Sequence, residues 1–343
     1  EFTNLEHSHF LASNTVGLHL AVKILKEKYG WKDGDEIITT PITFVSTNHA
    51  ILYERMIPVF ADVDEYLCLD PESVLDRITD KTRAVIFVGI GGNPGRLDKI
   101  SEICSQKGIK LILDAAHMAG TFVNLDNSTK HVGYECDVTV FSFQAVKNLP
   151  TADSGMICFK DSELDSEVRK LSWLGIDKDT FSRTNDGAYK WKYDVPSVGF
   201  KYHGNSIMAS IGLVQLKYLK EDNDVRNLNC KHYETFLHAD FREYIVKDSH
   251  YCNLSSKHLF QLIIDEDKFR LNRDELVNVL YSNNIYPGVH YTDNTKYPMY
   301  EKNYLQCPRA RILSESIISL PNHLNLSKKD IAFISDVIED NLI

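Results

Sequence analysis

The stretch RAVIFVGIGGNPGRLDKISEICSQKGIKLILDAA, residues 83–116, contains the pattern that decides the fold. Its opening RAVIFVGI is a continuous apolar run typical of a buried strand, and LDKISEICSQKG has apolar residues at helical spacing before a terminating glycine. IKLILDAA then predicts a second buried strand. A strand–helix–strand unit of this length indicates an α/β domain with a mostly parallel sheet.

The same alternation continues on both sides of this unit. Strands are predicted in DEIITTP, IPVFADV, CDVTVFSF and GMICF, and helices in NTVGLHLAVKILKEKYG, FVSTNHAILYE and PESVLDRI. The segment 177–200, rich in Asp, Lys, Tyr and Gly, is predicted to be a long irregular loop. The first part of the chain is therefore predicted to form one large α/β domain.

The pattern changes to α+β after residue 200. Two helices broken near Asn223 are followed by a strand in KHLFQLIID, a helix in RDELVNVLYSNN and a C-terminal helix that Ser327 is expected to cap. We therefore predict a large domain over residues 1–235 and a smaller C-terminal α+β domain over residues 236–343.

Composition limits the classes of function. The chain has 343 residues, 25% of them charged, and a formal net charge of −10, which argues against general nucleic-acid binding. No apolar run reaches the roughly 18 residues that a membrane span requires. The seven scattered cysteines lack metal-ligand spacing and are typical of a reducing, cytoplasmic compartment, so we expect no metal site.

Polar residues follow several of the predicted strands, and ligands of parallel sheets bind at the carboxyl ends of the strands. The candidates are Thr43 and Phe44, the glycine-rich turn Gly89 to Gly95, Asp114 and His117, and Ser142 to Lys147. These groups are expected to converge on one crevice.

Lys147 and Asp114 have the residue types of a pyridoxal-phosphate site. A lysine amine forms a Schiff base with a carbonyl group, and the cofactor needs a carboxylate against its pyridinium nitrogen. Each residue also has an ordinary alternative, because Lys147 can be a solvated side chain and Asp114 a helix cap.

The remaining candidates also allow two interpretations, one functional and one structural. Ser13, Asn14 and Thr15 precede the first helix and either cradle a phosphate or simply cap that helix. Ser142 can add a hydroxyl to the cradle, and Phe44 either stacks on a ring or belongs to the core. His117 is either catalytic or structural. The turn GIGGNPG is a weak nucleotide-binding signal and is interpreted as a tight turn.

The ordered set of motifs resembles the DegT/DnrJ/EryC1/StrS family of sugar aminotransferases. The motifs are SNTVGLHLAV, GDEIITTPITFVSTNHAILY, PVFADVD, LILDAAHMAGT, FSFQAVKNLPTADSGMICF, VGFKYHGNSIMASIGLVQL, GVHY and SLPNHLNLS. The resemblance covers essentially the whole chain. It implies the pyridoxal-phosphate-dependent transferase fold of type I and a homodimer with active sites shared between subunits. It also implies transfer of an amino group from L-glutamate to a nucleotide-linked keto sugar.

The resemblance also implies residue roles. Lys147 matches the Schiff-base lysine and Asp114 the partner of the pyridinium nitrogen, while His117 stands beside the cofactor's O3'. The other matches are Asn14, Thr15 and Ser142 around the phosphate, Phe44 on the ring face, Lys201 and His203 reaching the partner subunit's cofactor phosphate, and His290 and Tyr291 near the sugar nucleotide.

Four features depart from the family pattern. SGT is SNT here, TGEGG is TADSG, many members have Asn where Lys201 stands, and the sequence begins some tens of residues late. The first departure removes a glycine from the expected phosphate loop, so Asn14 is expected to lack glycine's backbone freedom. The last is interpreted as an N-terminal segment that is short, missing or not included.

The predicted reaction is ping-pong transamination in which Lys147 carries the proton. The segment WLGIDKDTFSR resembles members that aminate C4, which suggests a 4-keto-6-deoxyhexose on UDP or dTDP as acceptor. The alternatives are C3 amination, sugar dehydration, or a catalytically idle relative that binds sugar nucleotides or regulates expression. Lys147 argues against dehydration, because the family's dehydratases replace this lysine with histidine.

Overall fold

The computed structural model describes residues 2–125, 128–177, 193–303 and 306–342. The predicted loop 177–200 therefore lies largely outside the described residues. The elements up to residue 172 are β1 (His7–Leu11), α1 (Asn14–Tyr29), β2 (Glu36–Thr39), α2 (Ser46–Tyr53), β3 (Ile57–Phe60), α3 (Pro71–Arg77), β4 (Thr82–Val88), α4 (Leu97–Lys107), β5 (Lys110–Asp114), β6 (Phe122–Leu125), β7 (Ser128–His131), β8 (Val138–Ser142), β9 (Gly155–Phe159) and α5 (Ser162–Ser172). The later elements are α6 (Ser206–Gln215), α7 (Leu219–Phe236), β10 (Phe260–Ile263), α8 (Arg273–Ser282), α9 (Pro308–Ser316), β11 (Ile317–Leu320) and α10 (Lys328–Leu342).

A seven-stranded sheet in the order β1-β9-β8-β5-β4-β2-β3 forms the centre of the fold. The five strands from β8 to β3 are parallel, and β9 runs antiparallel between β8 and β1. The predicted mostly parallel sheet is confirmed. Its interior strands read as continuous apolar runs because helices cover both faces.

The two faces of the sheet are packed by different helices. Leu111 and Leu113 of β5 point into a cluster that includes residues of α3 and α4, whereas Ile112 packs with residues of α1, α2 and α5. This alternation follows from the two-residue period of a strand. The carboxyl ends of β5 and β8 are consequently enclosed between two helical layers, and the polar residues after them are held by a rigid frame.

A second core forms around the two-stranded antiparallel sheet of β10 and β11, where α7, α8 and α10 pack. Helix α7 takes part in both cores, since Leu219 belongs to a cluster of the large sheet and Tyr233 to the second core. The domain division at residues 235 and 236 stays a prediction. Ser327 accepts a hydrogen bond from the Asp330 amide at 3.2 Å, which confirms the predicted cap of α10.

The predicted helix break near Asn223 is wrong. The break lies at residues 216–218, between α6 and α7, and Asn223 is buried inside α7. Its side-chain amide donates to the Ala119 carbonyl at 2.9 Å and accepts from Asn148 Nδ2 at 2.6 Å. An asparagine whose amide is satisfied by tertiary partners does not need to compete with the helix backbone.

Several short elements have no counterpart in the predictions, namely β1, the β6–β7 hairpin, α5, α9 and β11. Strand β1 is an example, because its residues are mostly half-buried and its sequence HSHFL lacks a long apolar run. No helix in the described part of the chain is both long enough and apolar enough to cross a bilayer.

Candidate active site

A cavity of about 510 Å³ opens at the carboxyl ends of the parallel strands. Nine of the predicted site residues line it: Asn14, Thr15, Phe44, Asp114, His117, Ser142, Lys147, His290 and Tyr291. The expected convergence on one crevice is therefore observed for the groups after β2, β5 and β8, but not for the turn Gly89 to Gly95. Lys201 and His203 do not line this cavity within the same chain.

Asp114 ends β5 and is only 4% exposed. Its Oδ2 accepts a hydrogen bond from Thr47 Oγ1 at 2.8 Å, and its Oδ1 accepts from Asn14 Nδ2 and the Ala116 amide, each at 3.2 Å. Burial raises the pKa of this carboxyl, and the hydrogen bonds oppose that shift. Among the described residues no cation forms an ion pair with it, so a fixed, buried carboxyl faces the cavity with Lys147 as a positive charge in its surroundings but not in contact.

Lys147 lies in the connection between β8 and β9, which is closed by backbone hydrogen bonds. Phe143 N donates to Ser154 O, Thr151 N to Phe143 O and Ala145 N to Ala152 O, each at 2.8 Å. The next residue, Asn148, is buried and donates to Asn223 Oδ1 and to the Ser256 carbonyl at 2.6 and 2.8 Å. The lysine is therefore held in a fixed turn at the cavity.

The Lys147 amine is easier to deprotonate than an ordinary lysine. Burial lowers its pKa to about 8, and the Asp114 carboxylate opposes this shift. A neutral amine is the form that attacks a carbonyl carbon or accepts a proton. The alternative of a freely solvated surface lysine does not fit these surroundings.

The altered glycine motif TADSG contributes backbone strain to the same turn. Ala152 has a φ of +92°, a region in which glycine is far better tolerated than alanine. We expect Ala152→Gly to raise the free energy of unfolding by about 1 kcal/mol. Ala145→Gly is a matched control. The Ala145 amide is hydrogen-bonded to the Ala152 carbonyl, but Ala145 does not have a positive φ, so this variant is expected to be as stable as the wild type or less stable. Denaturant unfolding of both variants measures the difference, and a loss of stability in Ala152→Gly would contradict the strain argument.

The first turn of α1 borders the cavity. Ser13 caps this helix by accepting from the Val16 amide at 3.4 Å, so capping by this segment is confirmed, while Asn14 and Thr15 line the cavity. Asn14 is the first helical residue and does not adopt a positive φ, so this position does not require glycine's freedom. The last glycine of TADSG is required for packing, since a Cβ at Gly155 would lie 2.7 Å from the Asn14 amide nitrogen.

His117 is held neutral. The Gly91 amide donates to its Nδ1 at 3.2 Å, so Nε2 carries the proton and bonds to the Tyr291 hydroxyl at 3.2 Å. Burial lowers the pKa of His117 well below its usual value. The turn Gly89 to Gly95 thus positions His117, and no residue of this turn lines the cavity, in agreement with its interpretation as a tight turn.

Aromatic and imidazole groups form the outer wall of the cavity. Phe44 is 59% exposed, which excludes its core alternative, and its ring centroid lies 6.2 Å from that of Tyr291. His290 Nδ1 bonds Ser319 Oγ at 2.9 Å, and burial lowers the pKa of His290 to about 4. Burial raises the pKa of Tyr291, so both side chains are neutral near pH 7.

Thr47 and His258 are site residues that the sequence did not indicate. His258 lines the cavity and its ring centroid lies 4.3 Å from that of His117. Both amide hydrogens of Asn148 are already donated, so His258 donates from Nδ1 to Asn148 Oδ1 at 2.6 Å and keeps a lone pair on Nε2. The only signal was a polar residue near the start of the segment KHLFQLIID, ahead of β10, and it does not identify a distant partner.

Lys201 and His203 lie beside Trp173 instead. The Lys201 amine is 3.2 Å from the centre of the Trp173 ring, and the His203 ring packs edge-on against the same indole at 4.1 Å. His203 Nδ1 is buried without a hydrogen-bond partner.

Comparison with known proteins gives consistent results. The profile of the DegT/DnrJ/EryC1/StrS aminotransferase family matches residues 1–339. The spore coat polysaccharide biosynthesis protein SpsC of Bacillus subtilis is 32% identical over 356 residues, covering 99% of this chain and 86% of SpsC. Helicobacter pylori PseC, an aminotransferase involved in the biosynthesis of pseudoaminic acid, is 25% identical with a TM-score of 0.86, covering 99% and 87% of the two chains. DesI, solved in the presence of its TDP-sugar product, is 25% identical with a TM-score of 0.82, covering 98% and 81%.

These similarities extend over nearly the entire chain and confirm the predicted type I fold of pyridoxal-phosphate-dependent transferases. The aminotransferases of this family depend on pyridoxal 5'-phosphate, which agrees with the predicted cofactor. The chain belongs to the DegT/DnrJ/EryC1/StrS aminotransferase family and is a pyridoxal-phosphate-dependent sugar aminotransferase.

Proposed function

We propose that this enzyme moves an amino group from L-glutamate to a nucleotide-linked keto sugar, with a 4-keto-6-deoxyhexose on UDP or dTDP as the acceptor. The observation that carries the proposal is one cavity that contains both a buried Asp114 carboxyl, with no ion-pair contact among the described residues, and a Lys147 amine of lowered pKa. The printed descriptions of SpsC, PseC and DesI, which concern polysaccharide, pseudoaminic acid and a TDP-sugar, support a role in amino-sugar synthesis.

The cavity has groups that fit pyridoxal phosphate. Asp114 is a buried carboxyl fixed by three donors and without an ion-pair partner among the described residues, so it suits a protonated ring nitrogen. Ser142, Thr15 and the amino end of α1 would hold the phosphate, and the exposed Phe44 ring would cover the ring face. When bound, the cofactor supplies an electron sink for the carbanion formed at the substrate carbon.

Each side chain at the site would then have a separate role in the reaction. The freed Lys147 amine accepts the proton from the substrate carbon and later returns it, for which a pKa near neutrality is favourable. Asp114 would keep the ring nitrogen charged. His117 would stand beside the cofactor's O3' as a neutral ring, fixed by the Gly91 amide and Tyr291, and His290 and Tyr291 would face the sugar nucleotide.

A homodimer is the assembly that we propose. Helix α6 has no buried residue although it is rich in apolar side chains, and Ile207, Leu213 and Val214 are 71%, 66% and 51% exposed. An apolar helix that stays largely exposed on its own chain suits an interface between two copies. In that assembly Lys201 and His203, just before α6, would reach the cofactor phosphate in the other subunit.

We also propose a cytoplasmic location. The seven cysteines are all unpaired, and six of them are buried. Unpaired cysteines of this kind are typical of a reducing compartment. Nucleotide sugars and L-glutamate would be the small-molecule partners there.

The function is tested by a visible absorption spectrum of the purified protein before and after L-glutamate. We expect an absorption band of the lysine-bound cofactor that glutamate converts to the band of the aminated form. Addition of a keto-sugar nucleotide should reverse this change, and the structure of the product separates C4 amination from C3 amination and dehydration. A protein that takes up no cofactor and shows no response to glutamate would support the idle-relative alternative instead.

Cofactor capture is expected to depend on pH through Lys147. The rate at which the cofactor-free protein captures pyridoxal phosphate should rise through pH about 8 and then level off, because the neutral amine is the nucleophile. An ordinary lysine would keep accelerating towards about pH 10. Stopped-flow absorbance measures the midpoint. Asp114→Asn is the control and should move the midpoint to lower pH, since Asp114 raises the Lys147 pKa.

A further inference from the structure

A second cavity, of about 680 Å³, adjoins the first at Lys147. The two cavities share Val146, Lys147, His258 and His290. The second cavity is closed on its far side by α7, which contributes Asp222 and Arg226, and by residues 319–325. The Lys147 turn therefore stands between the proposed cofactor cavity and a second space large enough for a small substrate.

Arg226 is an unusual residue of this second cavity. It is only 9% exposed, and burial lowers the pKa of its guanidinium. One terminal nitrogen donates to the Asn322 carbonyl, whereas the Nε–H group is enclosed without any acceptor. No carboxylate among the described residues forms an ion pair with it. Asp222 raises the pKa of Arg226 without contacting it, so the buried charge is only partly compensated, and an anion in contact with the guanidinium would stabilise it further.

We infer that Arg226 binds a carboxylate of the amino donor in the second cavity. This inference rests on the proposed function, which requires an amino acid to present its reacting carbon next to Lys147. The planar guanidinium fork matches a carboxylate in two-pronged geometry. Arg226 and Lys147 border the same cavity, so a donor with its carbon near the lysine extends towards the guanidinium.

A carboxylate suits this subsite better than a nucleotide diphosphate. Asp222 lines the same cavity one helical turn before Arg226, and its acidic side chain would repel a multiply charged phosphate group. The same side chain repels an anion of single charge less strongly, because the repulsion scales with the charge of the ligand. His258 offers only a lone pair from its Nε2 and therefore adds no positive charge near pH 7. Arg226 is thus the one strong anion-binding group on this wall among the described residues.

The test uses Arg226→Met and Arg226→Lys in the holoenzyme. Methionine replaces a buried, unpaired charge by an apolar chain, so the variant should fold, and lysine provides a second variant that keeps the charge but loses the fork. Arg270→Met, at an exposed arginine, is the matched control. Two quantities are measured: the concentration of L-glutamate that half-converts the absorption band, and the Kd of the unreactive dicarboxylate glutarate by calorimetry.

We expect both quantities to rise about 10- to 100-fold in Arg226→Met and less in Arg226→Lys, with Arg270→Met unchanged. Binding of dTDP and UDP should not change. Unchanged glutarate binding would overturn the inference, and so would weaker dTDP or UDP binding with normal glutamate binding, which would assign Arg226 to a phosphate. A wild-type holoenzyme that binds glutarate through Arg226 but does not react with glutamate would contradict the proposed function and leave the anion subsite standing.

Discussion

Lys147→Ala is expected to abolish transamination while leaving the protein folded. The amine is proposed both to hold the cofactor covalently and to carry the proton, and proton transfer alone is worth about 10²- to 10⁴-fold in rate. The turn itself depends on backbone bonds among residues 143–154 and on Asn148, none of which uses the lysine side chain. We therefore expect activity to fall by at least about 10³-fold, with little change in the unfolding temperature.

Two further variants separate the possible causes of such a loss. Lys147→Arg keeps the positive charge but cannot act as a neutral amine, so it should be as inactive as Lys147→Ala. Lys99→Ala, at an exposed lysine of α4, should keep full activity. The visible spectrum should lose the band of the lysine-bound cofactor only in the two Lys147 variants. Full transamination by Lys147→Ala would disprove the mechanism.

The strands that carry this site could be predicted because each of them has a local signal in the sequence. The apolar run RAVIFVGI and the strand ending in KLILD are buried on both faces, so they show as continuous hydrophobic segments. Asp114 ends one such strand and Lys147 lies in the connection that follows another, and the topology of a parallel sheet brings those strand ends together. Position along the chain was sufficient for these residues.

The residues that hydrogen-bond to the site residues from distant parts of the chain could not be predicted in this way. Thr47 reaches Asp114 across 67 residues of sequence, and His258 reaches Asn148 across 110. Thr47 is brought to Asp114 by the packing of α2, and Asn148 is held for His258 by Asn223 of α7. A buried polar residue in a sequence looks like an exposed one, which is also why Asn223 was mistaken for a helix break.

Asp114→Asn is expected to lower activity by about 10²-fold or more, because the pair of opposite charges between the carboxylate and the ring nitrogen is lost. The substitution is close to isosteric, and the surrounding hydrogen bonds can adapt. The side-chain oxygen can still accept from Asn14 and the Ala116 amide, while the new amide donates to Thr47 Oγ1. Thr47 can then donate to Thr43 Oγ1, 2.9 Å away.

The stability of Asp114→Asn should stay the same or rise although its activity falls. Burial raises the pKa of Asp114, so at neutral pH the folded, cofactor-free protein holds a charge that it disfavours, and the neutral amide removes that cost. We expect the cofactor-free variant to unfold at the same or a higher temperature than the wild type at pH 7. The difference should shrink as the pH falls from the raised pKa of the folded carboxyl towards about 4, and it should vanish below that pH, where the carboxyl is protonated in both the folded and the unfolded chain. A variant that lost activity and stability together at pH 7 would mean that Asp114 supports the fold instead of the chemistry.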